Sequence, residues 1–150
     1  MISKALILKQ EGRGSLLILE NGRTMRFEKK PVSLLNDWCI ACGSSLAGRT
    51  ESFRTVLDVT QKAAVMISEI TQEIWFPTLS MNSADCIWIC FNQILDVHSG
   101  APHTSEIVFF SGDRIEIDCD PRTIRTQMKR CRSYLQHLSQ GIYLNETDSG

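Results

Sequence analysis

The chain has 150 residues and a formal net charge of −1, with 43% apolar and 22% charged residues. That length supports one sizeable core and is short for two ordinary domains, and the apolar content excludes a disordered tail. No apolar run reaches the ~18–20 residues of a membrane helix, and the opening residues MISKALILKQEGR lack a signal peptide's long apolar region and cleavage site, so a cytoplasmic protein without a membrane partner is expected.

The first 27 residues read as two or three strands. Residues 5–9 and 15–20 are rich in Leu and Ile. Glu20-Asn21-Gly22 is a turn signal, because Asn-Gly accepts the positive φ angles of a tight hairpin. Residues 24–28 then alternate, with Met25 and Phe27 as the inward positions of a half-buried strand.

Pro31 changes the pattern. Ser33 is a candidate N-cap for a helix whose apolar positions are Leu34, Leu35, Trp38, Cys39 and Cys42. Gly43 is a left-handed cap residue. Ser44 and Ser45 offer a second N-cap, for a helix over residues 46–57 with Leu46, Phe53, Val56 and Leu57 near one face.

From Ala63 the period shortens. Residues 63–69, 73–76 and 86–95 read as strands, the second closed by Pro77, which cannot donate to a sheet ladder. Residues 98–104 form a loop. Residues 106–110 and 114–119 form a second hairpin around Ser111-Gly112-Asp113. Asp120 caps a last helix with Pro121 at its first position, running to about Leu138. Residues 145–150 read as a frayed polar tail. The fold class expected is α+β: a single domain spanning residues 1–150, with antiparallel strands at both ends, a central helix pair over 33–57 and a C-terminal helix. The helices should cover the sheet, with Leu35, Trp38, Phe53, Trp88, Ile89, Phe109, Ile124, Met128 and Leu135 as anchors.

Charge is unevenly placed. Residues 1–60 hold nine Lys and Arg against six Asp and Glu, and residues 61–100 hold one against four. Five of the six basic residues beyond position 100 fall between Arg122 and Arg132, with no acid among them. On a helical wheel at ~100° per residue, Ile124, Met128, Cys131, Leu135 and Leu138 share one side, and Arg122, Arg125, Lys129 and Arg132 form a neighbouring stripe. Four cations along ~15 Å can track a phosphate backbone. The alternative is a solvated face whose charges pair with carboxylates such as Glu116 or Asp118.

The Gly43-Ser44-Ser45 junction is a second candidate. A helix N-terminus exposes N–H groups and a positive dipole end, the two serines add hydroxyls, Gly48 leaves the approach open, and Arg49 lies one turn in. The alternative is a tight helix–helix corner that needs small residues for geometry alone. Cys39-x-x-Cys42 and Cys86-x-x-x-Cys90 supply enough thiolates for zinc, but both pairs lie on apolar segments without a Gly-rich knuckle. Six free thiols and no metal or other cofactor are expected. His98, His103 and His137 lack ligand spacing, and no catalytic triad order, P-loop or dinucleotide fingerprint occurs, so an enzyme is not expected.

Three stretches together resemble the competence transcription factor (ComK) family of Gram-positive bacteria. Cys42-Gly43-Ser44-Ser45-Leu46-Ala47-Gly48-Arg49 is similar to its G-S-S-x-x-G-R signature, Ile74-Trp75-Phe76-Pro77-Thr78-Leu79-Ser80 to its F-P-T-x-S segment, and Cys86-Ile87-Trp88-Ile89 to its C-x-W-I strand. The resemblance covers most of residues 20–138 and implies an activator that binds AT-rich boxes of double-stranded DNA, favours the minor groove, works as a homodimer or higher oligomer, and is open to control by a protease adaptor. Gly43, Ser44, Ser45, Gly48 and Arg49 match the signature, and Phe76, Pro77, Thr78 and Ser80 match the second motif. With the stripe, the candidate DNA-binding set is Gly43, Ser44, Ser45, Gly48, Arg49, Arg122, Arg125, Lys129 and Arg132. Arg49 is expected to be exposed and to contact DNA, or else to pair internally with Glu51 or Asp58. The competing reading is a protein-interaction module that does not bind DNA and pairs with a longer paralogue or a protease adaptor.

Overall fold

In the computed structural model the backbone is described for residues 4–148 and side chains to Gln140. Among the described residues nine strands and three α-helices follow one another as β1 (Ala5–Glu11), β2 (Gly14–Leu19), β3 (Thr24–Phe27), α1 (Pro31–Ala41), α2 (Leu46–Leu57), β4 (Val65–Met66), β5 (Ile74–Pro77), β6 (Ile87–Cys90), β7 (Ile94–Ser99), β8 (Ser105–Phe109), β9 (Arg114–Ile117) and α3 (Pro121–Asp148). The α+β class expected from the sequence is what the chain adopts.

The strands form two antiparallel sheets, one of six strands in the order β3-β2-β1-β6-β5-β4 and one of three in the order β7-β8-β9. Alternation along the larger sheet sorts its side chains between two cores. Leu8, Leu17, Val65, Trp75 and Trp88 pack with Leu34, Leu35 and Cys39 of α1. Ile7, Met66, Ile74, Phe76 and Ile89 pack with Phe53 of α2, Ile124, Cys131 and Tyr134 of α3, and Ile107 and Phe109 of the smaller sheet. A register shift between Ala5 and Ile7 lets the adjacent Leu6 and Ile7 enter the same core. The helices therefore do not cover one sheet face together. The six-stranded sheet lies between α1 on one side and α2, α3 and the small sheet on the other.

The Asn-Gly hairpin forms as its residues demand. Asn21 and Gly22 take φ of 62° and 75°, and Ile18 pairs with Thr24. The Asn21 N–H also donates to Asp113 Oδ2 at 3.0 Å, tying this turn to the tip of the β8–β9 hairpin. That bond and one from the Ser111 hydroxyl stabilise the Asp113 carboxylate, the serine having the larger effect, and hold its pKa below the ordinary 3.8.

Several expectations need correction. Helix α1 begins at Pro31 with Lys30 as N-cap and no side-chain cap, so Ser33 lies inside it. Met25 is 48% exposed, because β3 is the sheet's outer strand. The strand expected over 63–69 is reduced to Val65–Met66. The strand expected over 86–95 is two, β6 and β7, in different sheets and separated by a 3-10 turn at Phe91–Gln93. Strand β7 continues to Ser99, into the expected loop. Helix α3 runs past Leu138 to Asp148, into the segment read as a tail, whose Ser149 and Gly150 lie outside the described residues. Cys42 is exposed, not apolar lining, and Trp38, Met128 and Leu135 are half-buried at the margins of the cores. The other anchors are buried.

Candidate nucleic-acid interface

The corner between α1 and α2 is built by its sequence. Gly43 takes φ +86°, the left-handed conformation glycine adopts most cheaply. Its N–H donates to Ile40 O at 3.0 Å, and the Ser44 N–H donates to Cys39 O at 2.9 Å, the double bond pattern of a Schellman cap. Ser45 then caps α2, its Oγ accepting the Gly48 N–H at 3.0 Å. A Cβ on Gly48 would lie 3.2 Å from that Oγ, so glycine keeps the cap unhindered. Asn36 Oδ1 accepts the Leu46 N–H at 3.0 Å. Two N–H groups expected to face an anion are thus already engaged within the chain.

Arg49 is not the exposed residue its place near a helix N-terminus suggested. Only 11% of its side chain is exposed, and Nη1 lies 3.1 Å from Glu69 Oε1 in the segment between β4 and β5. Its internal partner is therefore Glu69, not Glu51 or Asp58. Its Nε is buried without a hydrogen-bond partner in the chain. A cleft of about 530 Å³ opens here, lined by Cys42, Gly43, Ser44, Arg49, Glu69 and the almost fully exposed Ile70.

On α3 the buried line is Ile124, Gln127, Cys131 and Tyr134, so the stripe of Arg122, Arg125, Lys129 and Arg132 faces outward and all four residues are exposed. Arg125 Nη2 donates to Val97 O of β7 at 3.0 Å. Among the described residues none of the four forms an ion pair, so the expected pairing with Glu116 or Asp118 does not occur. The junction and the stripe do not share a cleft.

The stripe's first residue belongs instead to a basic groove that sequence spacing did not disclose. A cleft of about 200 Å³ is lined by Lys62, Arg122, Thr123, Thr126, Gln127 and Arg130. A neighbouring one of about 430 Å³ is lined by Arg54, Thr60, Gln61, Lys62, Ala63, Ser80, Met81 and Asn82. Lys62 joins them, and neither lining contains a carboxylate. Buried Gln127 fixes the floor: its Nε2 donates to Lys62 O at 2.9 Å and Pro77 O at 2.8 Å. Arg130 Nη1 reaches Gln61 O at 3.2 Å and Gln127 Oε1 at 3.3 Å. Arg54, Lys62 and Arg130 converge only through the tertiary fold. The one signal in the sequence was that Arg130 falls within the acid-free run from Arg122 to Arg132.

The other two motifs are mainly structural. Phe76 and Thr78 are buried, and Thr78 Oγ1 accepts the Ile87 N–H at 3.0 Å. Ser80 and the neighbouring Leu79 are exposed, and Ser80 faces the groove. Cys86, Trp88 and Ile89 are core residues. All six cysteines are free, and among the described residues no three His, Cys, Asp or Glu side chains gather as metal ligands do. No described helix is long and apolar enough to cross a membrane.

A family model described as ComK protein matches residues 2–142. The chain belongs to the ComK protein family. It is similar to the competence transcription factor of Bacillus subtilis (strain 168), with 25% identity over 126 residues, 83% of this chain and 66% of that protein. No solved structure matches it. In this ComK-family chain the junction signature forms a capped corner, while a group of cations with no carboxylate in its lining lies where α3 meets the segments before β4 and after β5.

Proposed function

We propose that this ComK-family protein is a cytoplasmic DNA-binding regulator of competence genes. It recognises AT-rich double-stranded DNA through the minor groove and the phosphates, as a homodimer or higher oligomer. The observation that carries this reading is the groove of Arg54, Lys62, Arg122 and Arg130 with no carboxylate in its lining, beside the outward row of Arg125, Lys129 and Arg132. Such a surface concentrates positive charge on a chain whose net charge is only −1. The name of the similar Bacillus subtilis protein supports the same reading.

Phosphate contacts from these cations set position and orientation. The minor groove distinguishes A·T from G·C pairs but little more, so two copies on paired boxes supply the rest of the discrimination. The corner of Gly43, Ser44, Ser45 and Gly48 holds Arg49 at the rim of a separate cleft, where it makes a second contact once Glu69 gives way. No step of this function is catalytic. Fluorescence anisotropy with AT-rich and GC-rich duplexes of equal length tests the proposal: the AT-rich duplex is expected to bind at least tenfold tighter, and equal affinity would contradict it.

Exposed apolar side chains favour a second reading. Leu95 and Phe110 are 56% and 65% exposed beside the Ile94–Phe109 pair. A protein-interaction module pairing with a longer paralogue or a protease adaptor would use them. It predicts co-purification with such a partner and no DNA binding at low salt.

A further inference from the structure

We propose that a pocket at the N-terminus of α1, which adjoins the basic groove at Met81 and Asn82, binds a small oxyanion of the phosphate type. The pocket has a volume of about 200 Å³, and its walls include Gln10, Lys30, Ser83, Cys86 and Trp88, with Asn82 at its mouth.

Three independent features select an anion. First, α1 starts here with neither a side-chain cap nor an acidic residue in its first turn, so the positive end of its dipole is uncompensated. Second, Trp88 is fully buried, and its indole Nε1–H has no acceptor in the chain. The contrast with Trp75 is direct, since the Trp75 Nε1–H donates to Glu73 at 2.8 Å. A buried N–H is rarely left unpaired, and Trp88 is one of the residues that line the pocket. Third, the lining offers donors and no carboxylate. Among the described residues neither the Lys30 ammonium nor the Asn82 amide has a hydrogen-bond or ion-pair partner, and the Gln10 amide commits one bond, to Gly12 O. The Cys86 thiol adds no negative charge. Burial pushes its pKa above the ordinary 9.0, and Sγ donates to Leu79 O.

The ligand chemistry is that of phosphate oxygens, from free phosphate or from a nucleic-acid backbone. The test follows the indole N–H resonances of the three tryptophans by NMR on the ¹⁵N-labelled full chain. Sodium phosphate is titrated against sodium chloride of matched ionic strength. The resonance that disappears in Trp88→Phe is expected to shift saturably with phosphate and not with chloride. Lys30→Ala and Asn82→Asp, both at exposed positions, should each weaken that binding at least fivefold while the other two indole resonances stay in place. No saturable shift of the Trp88 resonance, an equal shift in chloride, or unchanged affinity in both variants would overturn the site. A shift produced by duplex DNA and reversed by phosphate assigns the bound group to the backbone. A shift with phosphate alone assigns it to a free anion. Groove variants away from the shared wall, Arg122→Ala and Arg130→Ala, should lose DNA binding and leave the phosphate titration unchanged, which separates this site from the regulatory reading.

Discussion

Arg49 holds its guanidinium 3.1 Å from Glu69 with 11% of the side chain exposed, so truncating it removes packing as well as charge. Arg49→Ala should therefore lower stability by about 1–2 kcal/mol and weaken DNA binding by about 1–3 kcal/mol. Melting temperature and anisotropy on the same variant measure the two effects. Glu69→Gln isolates the second, because Glu69 is 75% exposed and its loss uncovers the arginine. Tighter DNA binding by Glu69→Gln supports the contact, and unchanged binding places Arg49 in the scaffold alone. A second residue-scale effect concerns thiols. Burial pushes Cys90 up to about 12 from the ordinary 9.0 and raises Cys131 as well. The folded state keeps Cys90 protonated where the unfolded chain ionises. Its contribution is thus intact below pH 9 and lost as pH rises toward 12. By pH 10 the loss is about 1.4 kcal/mol from Cys90. Denaturant unfolding at pH 8 and pH 10 should show that difference shrinking in Cys90→Ala.

The α1–α2 corner shows how local chemistry fixes an element. Ser45→Ala removes the acceptor of the Gly48 N–H and should cost about 1 kcal/mol, read from the urea midpoint. A loss well beyond that would mean the hydroxyl carries a further contact. These elements were legible because each has a local cause: Asn-Gly for the β2–β3 hairpin, Gly43 and Ser45 for the ends that face each other, Pro121 for the start of α3. The break between β6 and β7 was not. Residues 86–95 are nearly all apolar, and the turn is held from outside: Asn92 Oδ1 accepts the Ile74 N–H at 2.8 Å, and Nδ2 donates to Gln72 O at 3.0 Å. Likewise the stripe could be read from helical spacing, whereas the groove could not. Its cations come from α2, the segment before β4 and α3, and Gln127 brings the last two together.

At the scale of the whole molecule, the six-stranded sheet keeps α1 and its N-terminal pocket on one face and α2 and α3 on the other. The groove lies along the second face, its cations anchored by a buried amide and not by carboxylates, which leaves their charge available to a polyanion. Counterion release makes that availability measurable, because log affinity falls with log salt by about 0.9 for each phosphate neutralised on duplex DNA. The decisive measurement is the salt dependence of binding to an AT-rich duplex for the natural chain and for a Lys62→Ala, Arg122→Ala double variant. Neither side chain forms an ion pair among the described residues, so folding should survive the change. The account predicts a steep slope for the natural chain and one shallower by about 2 for the variant. Binding that ignores salt, or identical slopes for the two proteins, would contradict it.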